Sequence, residues 1–258
     1  MSKVKLLRKG DLMQNKYVGD IGDFGKYGLL RYLSRTNLTI GINWYMVPDE
    51  KNTGDGKHTS YSEKDAYRQC DEQLYDILYK IINGGERNID SVEKSNIFPQ
   101  NMIFYNEVLD FNKVTNWIHR RALRENWHKR ALEKLCNSDF VFLDPDNGLQ
   151  VKSTSLTSVK GNKYIGYKEL EDYFNLGISI VFYNHRERKP EEEYVDKFRK
   201  LKENKTFKNS TIIGLKFKRG TIRDYIFILQ PQHIKLIKDC CNSLLDSKWK
   251  EHFSILNI

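Results

Sequence analysis

Phe140-Val141-Phe142-Leu143-Asp144-Pro145-Asp146-Asn147-Gly148-Leu149 is the stretch on which the fold turns. Four consecutive apolar residues closed by Asp-Pro suit a central parallel strand buried on both faces. Working outward, Thr39 to Val47 reads as a strand that stops at Pro48-Asp49-Glu50, and Met102 to Tyr105 as another. Ile178 to Tyr183 forms a third apolar strand, ending in Asn184-His185-Arg186. Helical segments fall between them, at about 63 to 82, 112 to 136, 168 to 174 and 190 to 204. Two last strands, Thr211 to Phe217 and Tyr225 to Leu229, flank Lys218-Arg219-Gly220 and predict an antiparallel pair. A helix over about 231 to 245 closes the pattern. The alternation predicts an α/β, Rossmann-like, mostly parallel sheet with helices on both faces and an antiparallel strand pair at the C-terminal edge.

Length and composition set the frame. The 258 residues read as a single Rossmann-like domain, 1–258, with a helical insertion around 60–100. Charged residues make up 30% and hydrophobic ones 39%, an ordinary globular balance. No apolar run approaches the roughly 20 residues that span a bilayer. The basic start, Met1 to Lys9, lacks an apolar signal core. The expectation is a cytoplasmic protein with no membrane partner. Four cysteines, Cys70, Cys136, Cys240 and Cys241, form no CxxC pair and read as reduced, mostly buried thiols. The formal net charge of +9 favours a polyanionic partner, nucleic acid first.

Sites in such sheets form at the carboxyl ends of strands. Three ends here carry polar clusters: Asp49-Glu50, Asp144 to Gly148, and Asn184-His185-Arg186. Asp144 and Asp146, two residues apart after a buried strand, can project into one cleft, with Asn147 beside them. Asp-Asn-Gly is also ordinary turn chemistry. His185 is a candidate general base or metal ligand. His58 and Lys57 lie in a polar loop after the first strand and could hold phosphate or substrate, as could Arg186. His119, His128, His233 and His252 read as surface groups. The segment Gly19 to Lys26 is glycine-rich and opens a helix. Gly22, Asp23, Gly25 and Lys26 are therefore candidate ligand contacts, although the segment is neither Walker A nor GxGxxG. The basic stretch from Trp117 to Arg130 could bind phosphates and stack on bases, or be an amphipathic helix with both tryptophans inward.

The order of these pieces resembles the class I S-adenosylmethionine-dependent methyltransferases. It is most similar to the large-subunit rRNA adenine-N6 methyltransferases, whose fourth-strand motif is Asp-Pro-Pro-Tyr. Asp144-Pro145-Asp146-Asn147 stands at that place, with Asp146 and Asn147 replacing the second proline and the aromatic. Asp20 to Leu30 matches the family's N-terminal helix in position. The resemblance spans roughly residues 15 to 230. It implies a base methyltransferase acting on RNA or DNA. Asp144 would accept from the target amino group, Asn147 would support the base, and Asp49 or Glu50 would hold the ribose of S-adenosylmethionine.

The residues themselves keep two alternatives open. Asp144 and Asp146 are hard oxygen ligands suited to Mg²⁺ or Mn²⁺, with His185 or His58 moving protons and Lys57, Lys26 and Arg186 holding phosphate. That would be a phosphodiesterase or nuclease. The other alternative is a non-catalytic nucleic-acid-binding protein on a degenerate methyltransferase fold.

Overall fold

A computed structural model of the protein describes residues 15, 18–48, 56, 58–85, 87–99 and 102–258. Asp49, Glu50 and Lys57 lie outside the described residues. The main sheet has seven strands in the order β2-β1-β3-β6-β8-β7-β9. These are β1 (Ile40–Asn43), β2 (Met102–Tyr105), β3 (Phe140–Leu143), β6 (Ser179–His185), β7 (Thr211–Phe217), β8 (Arg223–Leu229) and β9 (Phe253–Leu256). A small parallel pair, β4 (Gly148–Leu149) and β5 (Tyr164–Ile165), sits apart from it.

Strands β2, β1, β3 and β6 run parallel, and β8 pairs antiparallel with both β6 and β7. The expected α/β class, with its antiparallel pair at the C-terminal edge, is what the chain forms. Strand β9 extends that edge by pairing antiparallel with β7. It was not anticipated, because Phe253-Ser254-Ile255-Leu256 is too short a pattern to stand out.

Side chains alternate across the strands, so two cores form. On one face, Phe140, Phe142, Val181 and Tyr225 pack under α1 (Ile21–Ser34) and α2 (Glu72–Asn83). The short α3 (Ile89–Lys94) adds Ile89 and Val92 to that face. On the other, Val141, Leu143, Ile180 and Phe182 meet α4 (Trp117–Leu135), α5 (Tyr167–Asn175) and α6 (Glu191–Arg199). Helix α7 (Ile234–Leu245) completes the first face through Ile237, Cys241 and Leu244. Among the described residues, no helix is long and apolar enough to cross a membrane.

Several local expectations change. The strand expected over 39–47 ends at Asn43, because Tyr45 adopts φ 48°, a left-handed conformation that breaks the ladder. The helix expected over 63–82 is broken before Glu72, where Asp71 caps α2 by accepting from the backbone N–H of Leu74. Gly22, Gly25 and Gly28 lie inside α1, which starts at Ile21 with Asp20 as its cap, and not in a loop before it. They share one helix face at a spacing of three. A Cβ on Gly25 would stand 2.5 Å from the Phe217 ring, and one on Gly28 would stand 2.3 Å from that of Trp249. Close packing of α1 explains these glycines. His128 and His252 are buried, not surface groups: His128 pairs with Asp172 and His252 stacks on Tyr67. All four thiols are free, as expected, but only Cys241 is buried.

Candidate functional site

The chain leaves β1 for β2 on one side and returns to β3 on the other. The carboxyl ends of β1 and β3 therefore flank a topological switch point, where open α/β sheets bind ligands. Asp144 stands at that point. Its backbone N–H donates to Asn43 O at 3.0 Å, which fixes it directly across from the end of β1. Its parity along β3 matches that of Phe142, so its side chain faces α1.

There Lys26 Nζ lies between two carboxylates, 2.7 Å from Asp144 Oδ2 and 2.8 Å from Asp23 Oδ1. It also lies 5.5 Å from the Trp44 ring centroid. Burial alone would push the Lys26 ammonium down, but Asp144 and Asp23 hold it above its ordinary value. Asp23 accepts at Oδ2 from the Tyr27 hydroxyl at 2.9 Å and from Gly19 N–H at 3.2 Å. Burial, with Asp20 and Asp144 adding to it, outweighs Lys26 and raises the Asp23 carboxyl to about 6. Asp20 caps α1 by accepting from Asp23 N–H at 2.9 Å, and its other oxygen accepts from Arg223 Nη2 at 3.0 Å.

Strands β6 and β8 supply the far wall. Tyr183 and His185 alternate toward α1, opposite Tyr225 and Arg223 of β8 in register. Tyr183 is pushed above the ordinary phenol range by burial, and Asp144 and Asp146 both add to that. His185 Nδ1 lies 3.2 Å from the Tyr183 hydroxyl. Desolvation and the Arg223 guanidinium push its imidazole below the ordinary histidine value, although the residue faces solvent. Among the described residues, no hydrogen-bond partner reaches Tyr225 Oη or Arg223 Nη1.

The Asp-Pro-Asp-Asn-Gly turn is locked from below by Asn184, which is fully buried. Asn184 Oδ1 accepts from Leu149 N–H at 2.9 Å, and its amide donates to the Tyr194 hydroxyl at 2.8 Å. Gly148 has φ +98°, and a Cβ there would meet Asn184 Oδ1 at 2.2 Å. Only glycine satisfies both demands. Asn147 O accepts from His185 N–H at 3.3 Å, which draws the β3 turn to the end of β6. Asp146 faces Lys163 Nζ at 3.7 Å.

The structure thus brings Asp144, Asp146, Asn147, His185, Asp23 and Lys26 to one rim. Gly22 sits at its floor, where an added Cβ would strike the Arg223 guanidinium at 1.7 Å. Arg186 is placed elsewhere. It follows Asn184 on the opposite face, where it grips Asp224 through two bonds of 2.9 Å and Glu191 through one of 2.6 Å. His58 is exposed, and its carbonyl accepts from Ile21 N–H at the start of α1. Among the described residues, no group of three or more His, Cys, Asp or Glu side chains is arranged to hold a metal ion.

Asp20, Arg223, Tyr183 and Tyr225 did not stand out in the sequence, and Asn184 did so only as a member of the Asn184-His185-Arg186 cluster. For Arg223 and Tyr225 the period of two along Arg223-Asp224-Tyr225 was a usable signal, since it places both on the same face as Phe227. A scan against protein-family models finds none that matches the chain, and a search of curated proteins finds no match either.

Proposed function

We propose that the protein is a nucleic-acid-directed enzyme that transfers a methyl group from S-adenosylmethionine to a base amino group. The observation that carries this reading is the position of Asp144, a buried carboxylate at the carboxyl end of β3 beside the β1/β3 switch point. The antiparallel strand pair beside the last parallel strand agrees with the layout that the resemblance implies.

The polar groups at the rim suit the cofactor in type. Arg223 and the Tyr225 hydroxyl are donors for a carboxylate, and Asp20 and Asp23 are acceptors for an ammonium or a hydroxyl. When bound, S-adenosylmethionine supplies an electrophilic methyl group. The protein's own residues do the rest. Asp144, kept in place by Lys26, accepts from the target amino group and orients it. Asn147 supports the base. His185, neutral at pH 7 because its imidazole is held low, can accept a proton at Nδ1 through the Tyr183 hydroxyl.

The phosphodiesterase reading has less support. Asp144 and Asp146 each face a lysine ammonium, so the positive charge that a divalent ion would bring is already supplied by Lys26 and Lys163.

Calorimetric titration with S-adenosylmethionine and, separately, Mn²⁺ tests the choice. Micromolar cofactor binding is expected, together with methyl incorporation into cellular RNA or DNA that falls by about 10²–10³ in Asp144→Ala. Absence of cofactor binding, combined with Mn²⁺ binding that disappears in Asp144→Ala and Asp146→Ala, would overturn it.

A further inference from the structure

Helix α4 is split along its length in what it touches. Its C-terminal half is anchored, with Trp127, Ala131 and Leu135 fully buried. Its first turn is not: Trp117 is 56% exposed and Ile118 is 54% exposed. The other three tryptophans, Trp44, Trp127 and Trp249, are fully buried. Trp117 and Ile118 are adjacent, so the start of the helix carries a small exposed apolar patch.

Charge accompanies the exposure. From Asn112 to Arg124 the chain carries Lys113, Arg120, Arg121 and Arg124 and no acidic residue. From Gly148 to Gly166 it carries Lys152, Lys160 and Lys163, again with no acidic residue. The two segments are fastened together. Buried Arg124 donates from Nη1 to Gly161 O at 2.8 Å and from Nη2 to Tyr164 O at 2.6 Å. The second segment in turn meets the rim, because Asn147 N–H donates to Lys163 O at 3.0 Å. Trp117 lies seven residues before Arg124, roughly 10 Å along the helix axis. A basic shelf with an exposed aromatic therefore runs up to the turn that carries Asp146 and Asn147. The Arg121–Glu125 pair on it is solvent-exposed and gives way readily to phosphate.

We propose that this shelf, formed by Lys113, Trp117, Ile118, Arg121, Lys152 and Lys160, binds a single-stranded segment of nucleic acid and leads it to the rim. The lysines and arginine take phosphates, and Trp117 stacks on a base. A duplex keeps its bases stacked inward and offers Trp117 nothing to lie on. The inference rests on the nucleic-acid reading above and adds the surface and the strandedness.

The test uses the full chain without cofactor and fluorescein-labelled single-stranded RNA of about 15 nucleotides, with the DNA of the same sequence and the RNA duplex as parallel probes. Anisotropy should show binding to the single strands, with partial quenching of tryptophan emission, since Trp117 is the exposed tryptophan that a base can reach. Trp117→Ala should weaken binding at least about five-fold, and Trp117→Phe should restore most of it. Lys113→Ala, Arg121→Ala and Lys160→Ala together should flatten the slope of log affinity against log salt by about two. Thermal unfolding serves as the folding control, since these side chains are exposed. Unchanged affinity in Trp117→Ala, preference for the duplex, or no binding of any probe would overturn the surface. Equal displacement by polyglutamate would do so too, by pointing to an acidic protein partner. If S-adenosylmethionine binds while these probes do not, only the shelf falls. If the probes bind and the cofactor does not, the shelf stands and methyl transfer falls.

Discussion

Two buried clusters of charge lie on opposite faces of the same sheet, and they are built in opposite ways. On the face of α4, Arg124 and Glu169 form a closed network. Glu169 accepts from Arg124 at 2.7 and 2.8 Å, from Gly166 N–H at 2.8 Å and from the Tyr45 hydroxyl at 3.1 Å. Burial alone would raise its carboxyl, yet Arg124 holds it below its ordinary value. On the face of α1, Asp20, Asp23 and Asp144 share Lys26 and Arg223, and the match is incomplete. Asp23 stays near 6, and Tyr225 Oη and Arg223 Nη1 lack partners among the described residues. Both clusters are buried and both are rich in ion pairs, so density of charge does not separate them. Completeness at the ion-paired groups does: Arg124 and Glu169 are fully partnered, although His128 Nδ1 near them is not, while Arg223 and Tyr225 beside the switch point keep donors without partners among the described residues.

The sharpest way to break this contrast is Arg124→Met. It strands Glu169 in the core and should cost about 3–5 kcal/mol in urea unfolding. A loss below about 1 kcal/mol would mean that the network is not closed in the sense argued.

Next comes a pH series on Asp23→Asn. The Asp23 carboxyl is raised from 3.8 to about 6 in the folded protein. Below pH 3.8 it is protonated in both states and costs nothing; above about 6 it is ionised in both, and the folded state bears the penalty. Wild-type stability should therefore fall relative to Asp23→Asn as pH climbs through that window. Glu169 behaves oppositely, since its lowered pKa gives stability that is lost as pH drops below 4.5. A difference between wild type and Asp23→Asn that stays flat with pH would contradict the assignment of strain to Asp23.

Two tyrosine substitutions sharpen the same point. Tyr45→Phe removes a hydroxyl that donates to buried Glu169 and should destabilise by about 1.5–3 kcal/mol. Tyr225→Phe removes a buried hydroxyl that has no partner among the described residues and should stabilise by about 1 kcal/mol. Equal effects from the pair, measured by denaturant midpoint at constant m, would erase the distinction between the two faces.

How much of this was legible beforehand depended on range. The apolar run Phe140 to Leu143 and its Asp144-Pro145 end are local signals, and they placed the central strand correctly, with Asp144 at its end. Lys26 and Asp144 are 118 residues apart, and their pairing leaves no trace in either segment. The strand pattern over 39–47 was misread because Tyr45 takes a conformation that a bulky residue reaches only when tertiary contacts hold it, at a cost of about 1–3 kcal/mol. Its N–H donates to Asn43 Oδ1 and its hydroxyl to Glu169, and neither partner is visible locally. Arg186 drew attention by following His185, but alternation along the strand turned it to Asp224. Trp117 and Trp127 looked alike in sequence and ended in opposite environments, because the buried residues of α4 begin at Arg124 and its first turn lies before them.

The glycine face of α1 has a consequence for how the protein is made. Phe217, Arg223 and Trp249, the side chains that fill against Gly25, Gly22 and Gly28, all belong to the last quarter of the chain. On a ribosome adding about 5–20 residues per second, the helix emerges roughly ten to forty seconds before them. During that interval the glycine face of α1 has none of these side chains to pack against, so a chain ended before them would bring Lys26 and its carboxylates together without the Arg223 and Tyr225 wall of the rim.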